Sequence, residues 1–403
     1  MEKNRMIPFS PPDITEAEID EVIQALRSGW ITTGPRTKLF EKKIAEYCHT
    51  HRAVCLNSAT ACLELVLRLL EIGEGDEVIA PAYTYTATAS VVCHVGAKLV
   101  LVDSQPDCIE MDYDRLAEAV TPRTKAVIPV ELGGVPCDLQ RIFDAVESKK
   151  ALFKPANALQ QAIGRVAVIS DAAHAFGAEW HGRKIGEIAD FTAFSFHAVK
   201  NLTTAEGGAL TWRALDGVDS ETIYRRLQLL SLHGQTKDAL TKETTGSWEY
   251  DVLYPGYKCN MTDIAAALGL SQLARYDEIL RRRGQIIARY DEVLHPLGIW
   301  TLRHNAPNTR SSGHLYLTRV PNMSAEERNA AIEQMASRGV MTNVHYKPLP
   351  LLTAYRSMGF DIADYPNAFG LFANEITLPL HTRLTDAEVE YILEQFCEVL
   401  KCR

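Results

Sequence analysis

The chain has 403 residues, 46% of them apolar, which is enough to bury one large core and a smaller second one. Its formal charge of -9 argues against a duplex nucleic-acid partner, because phosphate backbones are gripped by clustered lysine and arginine. No run approaches the ~18 to 20 apolar residues that cross a bilayer, and the N-terminus has no apolar signal region, so a soluble, cytoplasmic protein with no membrane partner is expected.

Thr15-x-x-Glu18 reads as a capping box, with Ile19, Val22, Ile23 and Leu26 as the inward stripe of the helix it opens and Gly29 as its stop. A second helix follows Pro35, with Phe40, Ile44 and Tyr47 on one face. Short β-branched runs then alternate with helical segments: Ala53–Leu56, Glu77–Ala80, Lys98–Val102, Lys125–Val130, Val166–Ile169, Phe191–Phe196 and Gly208–Trp212. That alternation predicts an α/β domain around a mainly parallel seven-stranded sheet. Ser148–Arg165 is a longer linker than such a unit needs, and Thr236–Trp248 is a polar, aperiodic surface loop. From Thr262 helices dominate, including Ile264–Ala274 and a terminal helix that Thr385-x-x-Glu388 opens, with Val389, Ile392, Leu393, Phe396 and Leu400 inward. The expected division is a large α/β domain over 1–254 and a small C-terminal α+β domain over 255–403.

The nine cysteines are scattered, without CxxC pairs or zinc spacing, and are read as reduced thiols with no metal to hold. Zinc-protease, dinucleotide, P-loop and serine-hydrolase signatures are all missing.

Ligands of open α/β sheets lie beyond the carboxyl ends of the strands, so the residues following each run carry the chemistry. Asn57-Ser58-Ala59-Thr60 opens a helix whose free amides suit a phosphate. Tyr83-Thr84-Tyr85 offers aromatic faces after the second run; Glu131 follows the fourth, Asp171 and His174 the fifth, His197 and Lys200 the sixth. Singly these are an ordinary cap, a turn former, a core tyrosine and a surface charge. Together they fall on one sheet edge. Lys200 stands between an aromatic strand and Glu206-Gly207-Gly208, where close backbone approach is expected, and an amine recessed there gives up its proton more readily. Phosphate-binding helix start, aromatic plate, carboxylate and recessed lysine are the set pyridoxal phosphate needs, since a carboxylate facing the pyridine nitrogen keeps the cofactor an electron sink.

The stretch Ser195-Phe-His-Ala-Val-Lys200-Asn-Leu-Thr-Thr-Ala-Glu-Gly-Gly208 resembles the cofactor-lysine motif of the DegT/DnrJ/EryC1/StrS family of nucleotide-sugar aminotransferases. Seven further matches run in order along the chain: Gly29–Pro35, Asn57–Thr60, Pro81–Thr88, Asp171–Ala178, Met261–Gly269, His345–Pro348 and Leu378–His381. The resemblance implies a fold-type I transferase that works as a homodimer with active sites completed across the interface. Lys200 would bond the cofactor aldehyde as a Schiff base, Asp171 would pair with the pyridine nitrogen and Tyr85 would stack on the ring. The amides of Ala59 and Thr60, the Ser195 hydroxyl and Lys258 of the neighbouring subunit would hold the phosphate, with His174 near the phenolic oxygen. Thr33, Glu131, His345 and Tyr346 are the candidate substrate contacts. Two departures stand out: Gly256-Tyr-Lys258-Cys-Asn-Met261 where many members read Gly-x-Asn-x-Arg-Met, and Glu131-Leu-Gly-Gly134 where many read His-Leu-Tyr-Gly.

The implied reaction moves an amino group, expected from L-glutamate, to C4 or C3 of a nucleotide-linked keto deoxysugar. A pyridoxamine-dependent sugar 3-dehydratase of the same fold is one alternative, though such relatives carry His where Lys200 stands. A non-catalytic regulatory homologue is the other, and a sample that stays colourless with added cofactor would favour it.

Overall fold

A computed structural model describes residues 6–237 and 249–401. Seven strands form the main sheet: β1 (Ala53–Leu56), β2 (Glu77–Pro81), β3 (Lys98–Val102), β4 (Thr124–Val127), β5 (Ala167–Asp171), β6 (Phe191–Ser195) and β7 (Gly208–Trp212). Their order is β1-β7-β6-β5-β4-β2-β3. Only β7 runs against its neighbours, pairing antiparallel with β1 and β6, and the remaining pairs are parallel. The strands are buried nearly throughout, as expected for a sheet covered on both faces. One apolar cluster lies on each face of it.

The antiparallel β7 is what brings two chemistry-bearing segments to one edge. Ser195, the last residue of β6, pairs with Gly208, the first of β7, so the loop holding Lys200 folds back over the carboxyl ends of β5 and β6. Gly208 is required there: a Cβ would lie 2.5 Å from the Ala59 amide nitrogen. The expectation of close backbone approach at these glycines is met.

Helix α1 (Glu16–Ser28) has the capping box read from the sequence, and Gly29 closes it in the left-handed region at φ 79°. Its buried face is a different one. Ile19 and Leu26 are 43% and 53% exposed, whereas Glu18 and Ala25 are buried. Glu18 turns inward because its carboxylate serves the cap and also takes Arg275 at 2.8 Å and Gln272 at 3.1 Å. Helix α2 (Pro35–Tyr47) buries Phe40 and Ile44 as expected. Both helices pack on Asp263–Ala274.

Ser148–Arg165 is more than a linker. It contains the helix Ala158–Ile163, capped by Asn157, and Gln160 donates from beneath to the Leu70 carbonyl at 2.7 Å. Residues 238–248 of the expected polar loop lie outside the described residues. A third apolar cluster gathers Ile7, the helix Tyr276–Leu294, the strands Tyr316–Arg319 and Glu375–Leu378, and the terminal helix Asp386–Lys401. Val389, Ile392, Leu393 and Phe396 of that helix face inward. Among the described residues no helix is long and apolar enough to cross a membrane, and the eight described cysteines are free.

Candidate active site

One cavity of about 660 Å³ opens at the sheet edge, and Ser58, Ala59, Thr60, Tyr85, Asp171, His174, Ser195, Lys200, His345 and Tyr346 all line it. Sheet topology explains the gathering. β5 delivers Asp171 and, three residues on, His174; β6 and its following loop deliver Ser195 and Lys200; the turn after β2 delivers Tyr85. His345 and Tyr346 come from far along the chain and close the opposite wall.

Helix α3 (Ala59–Leu69) points its first turn at the cavity. Its cap residue Ser58 accepts the Ala61 amide at 3.1 Å, leaving Ala59 and Thr60 as first-turn amides without intrahelical acceptors. The amides and the helix dipole make this end of the cavity attractive to an anion.

Asp171 is 6% exposed and held at both oxygens: Thr88 Oγ1 donates to Oδ2 at 2.7 Å and the Ala173 amide to Oδ1 at 3.2 Å. Burial raises its carboxyl above the ordinary range, against those hydrogen bonds and the charge of Lys200. The amine of Lys200 shifts the opposite way. Burial pushes it down to about 8, with the Asp171 charge resisting. Each group thus moves toward its neutral form, and desolvation is the larger influence on both.

His174 is fixed as a neutral donor. The Gly133 amide donates to Nδ1 at 3.1 Å, so that nitrogen carries no proton, and Nε2–H is left to donate to the Tyr346 hydroxyl 3.2 Å away. Burial, with Lys200 next, holds the imidazole well below its usual range. Gly133 can offer that amide because its φ is 67° and a Cβ would lie 2.3 Å from Leu302.

A family model described as the DegT/DnrJ/EryC1/StrS aminotransferase family matches residues 12–397. The chain belongs to that family. Spr1654 of Streptococcus pneumoniae, a candidate sugar aminotransferase solved in its PMP form, is 57% identical over 98% of this chain and 99% of that chain, with a TM-score of 0.96. The spore coat polysaccharide biosynthesis protein SpsC of Bacillus subtilis (strain 168) is 38% identical over 99% of this chain and 98% of its own length. PseC of Helicobacter pylori, an aminotransferase involved in the biosynthesis of pseudoaminic acid, is 27% identical over 99% of this chain and 100% of that chain, with a TM-score of 0.85. The protein is an aminotransferase of fold type I, and its cofactor is pyridoxal phosphate. The cavity fits that group: an anion-seeking helix end, an exposed tyrosine face (Tyr85 is 58% exposed), a buried carboxylate and a buried amine share one wall.

Three sequence-derived candidates sit elsewhere. Glu131 is fully buried and turned beneath the sheet edge, where its carboxyl takes the Cys137 amide and the Ser170 hydroxyl; it does not line the cavity. Burial pushes it up to about 8, and it is a structural acid rather than a substrate contact. Thr33 donates to the Met261 carbonyl at 2.7 Å and lines a separate depression with Lys38 and Glu41. The ammonium of Lys258 is bonded to the Asn260 side chain, outside the cavity of its own subunit.

A test follows for the corrected residue. Glu131→Gln is expected to leave kcat/KM unchanged, whereas Glu131→Leu, which strands the Cys137 amide, should cost about 1–3 kcal/mol of stability in denaturant titration. A fall in kcat/KM for Glu131→Gln at unaltered stability would return Glu131 to the site.

Sequence reading missed Thr88 and the pair Asn201 and His314. Asn201, next to the lysine, donates to the Ser312 carbonyl at 2.8 Å and meets His314 Nδ1 at 3.0 Å, and the His314 ring lies 4.4 Å from that of His174. The Thr84–Thr88 spacing, one helical turn apart, was the available signal for the hydroxyl pair.

Proposed function

We propose that the enzyme transfers an amino group from an amino acid, L-glutamate, to the C4 or C3 keto group of a nucleotide-linked deoxysugar, as a cytoplasmic homodimer with shared active sites. One observation carries the reading: a buried amine shifted to about 8 and a buried carboxylate face one cavity that also opens on a helix N-terminus. The sugar as acceptor is favoured by relatives named for polysaccharide and pseudoaminic acid synthesis.

In this reading Lys200 is the catalytic residue, and the bound cofactor supplies an electron sink that stabilises charge on the carbon bearing the amine. Lys200 Nζ is the one lysine amine among the described lining residues, and near neutral pH a useful fraction is free base, able to take and return the proton at that carbon. Asp171, pinned by Thr88, would pair with the pyridine nitrogen of the bound cofactor, Tyr85 would stack on its ring, and His174 would lie near its phenolic oxygen. The Ala59 and Thr60 amides with the Ser195 hydroxyl hold the phosphate. Lys258 and Thr33, which lie outside this subunit's cavity, are assigned to the site of the partner subunit. His345 and Tyr346 contact the sugar. A large domain over 1–254 and a small one over 255–403 complete the proposal.

The discriminating experiment mixes the amine-loaded enzyme with nucleotide-linked 3-keto and 4-keto sugars and follows return of the aldehyde-form absorbance. Return with a keto sugar, and an amino sugar by mass spectrometry, is expected. Return with simple 2-oxo acids alone would refute the sugar assignment.

A further inference from the structure

His345 stands at the cavity wall under the ring of Phe9, which stacks on it at 5.5 Å and 20°. Its Nδ1 lies 2.8 Å from Thr377 Oγ1. The same hydroxyl reaches Glu375 Oε1, and Glu375 Oε2 accepts the backbone amide of His345 at 2.7 Å. His345, Glu375 and Thr377 are 9%, 1% and 0% exposed, so these contacts are closed to bulk water. A hydroxyl has one proton: placed between two groups it donates to one and accepts from the other.

We infer that Glu375, Thr377 and His345 form a relay in which protonation of Glu375 decides which imidazole nitrogen of His345 bears hydrogen, and so whether the cavity presents an acceptor or a donor to a substrate hydroxyl. With Glu375 ionised, Thr377 donates to the carboxylate and accepts from His345 Nδ1–H, and Nε2 keeps its lone pair. With Glu375 neutral, its O–H donates to Thr377, Thr377 donates to Nδ1, and Nε2 carries the proton. The imidazole is uncharged in both states. One proton, that of Glu375, separates them. The substrate half of this inference rests on His345 contacting the sugar, as proposed above.

The surroundings place the change in a workable range. Burial pushes Glu375 up to about 8, against the Thr377 hydroxyl, the His345 amide and the charges of Arg328 and Arg319. Arg319 stands opposite Glu375 in the strand register and is itself paired with Asp107 at 3.1 Å; Arg328 donates to the Glu375 carbonyl at 3.3 Å. Tyr83 donates its hydroxyl to the His345 carbonyl, and Tyr346 also feels the Glu375 charge. Burial, followed by the Lys200 charge, pushes His345 down to about 3, which keeps it neutral across this window. Glu375 and Thr377 are therefore positioning residues, acting on the site through His345.

The relay is tested on holoenzyme labelled with ¹⁵N-histidine, the His345 signals being assigned by their loss in His345→Gln. Between about pH 7 and 9 the two His345 ring nitrogens should exchange protonated and unprotonated shifts in the wild type and in Thr377→Ser, but not in Glu375→Gln or Thr377→Val. Absence of that exchange in the wild type, or its persistence in Glu375→Gln, overturns the relay. The KM for the keto sugar should change about threefold to tenfold through the same interval in the wild type and Thr377→Ser, and stay flat in Glu375→Gln and Thr377→Val. A flat wild-type KM beside an intact nitrogen exchange overturns the substrate contact of His345 while leaving the transamination reading to its own test.

Discussion

Lys200→Ala is expected to lower kcat by about 10,000-fold or more, because it removes at once the amine that captures the cofactor and the base that moves the substrate proton. Among the described cavity residues there is no other lysine to capture the cofactor, and His174 and His345 are both held neutral well below their usual range. The cofactor-free protein extends the prediction to pH. Only the uncharged amine attacks an aldehyde, so the rate of cofactor capture should rise through pH 8, where burial has placed Lys200. Stability should follow the same group. Between that value and the ordinary lysine range the unfolded chain holds a proton that the folded chain has released, so unfolding takes up a proton and stability rises with pH across the window. The slope should vanish in Lys200→Ala. A variant that keeps turnover would refute the assignment of the nucleophile.

Asp171→Asn should cut kcat by about 100- to 1,000-fold with little change in stability. The amide oxygen still accepts from Thr88, the longer bond from the Ala173 amide is given up where the amino group replaces Oδ1, and the negative charge opposite the pyridine nitrogen is gone. Burial already disfavours that charge in the cofactor-free chain, so its removal relieves a cost there. Stopped-flow measurement of the donor half-reaction separates the two effects from the midpoint in denaturant. Equal loss of stability and activity would mean that Asp171 is a packing residue.

Much of this site was legible before any coordinates. Neither Lys200 nor Asp171 was marked by its own position; their convergence on one sheet edge with the helix start at Ala59 and with Tyr85, and the motif around Lys200, singled them out. Orientation was less readable. Glu131 also follows a strand, yet its side chain turns under the edge toward Ser170 and Cys137, because successive residues leave a strand on opposite sides and sequence spacing past the last ladder bond does not count them. The stripe on α1 failed for a related reason. Periodicity reports that a helix has an apolar face, but the Arg275 ion pair and the cap drew Glu18 inward and left Ile19 and Leu26 outside this subunit. Thr88 was hidden by its setting. A threonine in the first turn of Thr86–His94 looks like any helix residue until Asp171 is brought beside it by the sheet.

The most direct measurement is borohydride reduction of the cofactor-loaded enzyme followed by peptide mass mapping. A single added cofactor mass on Lys200, lost in Lys200→Ala, is the predicted result. A label on another lysine, or none in a protein that still transaminates, would contradict the account.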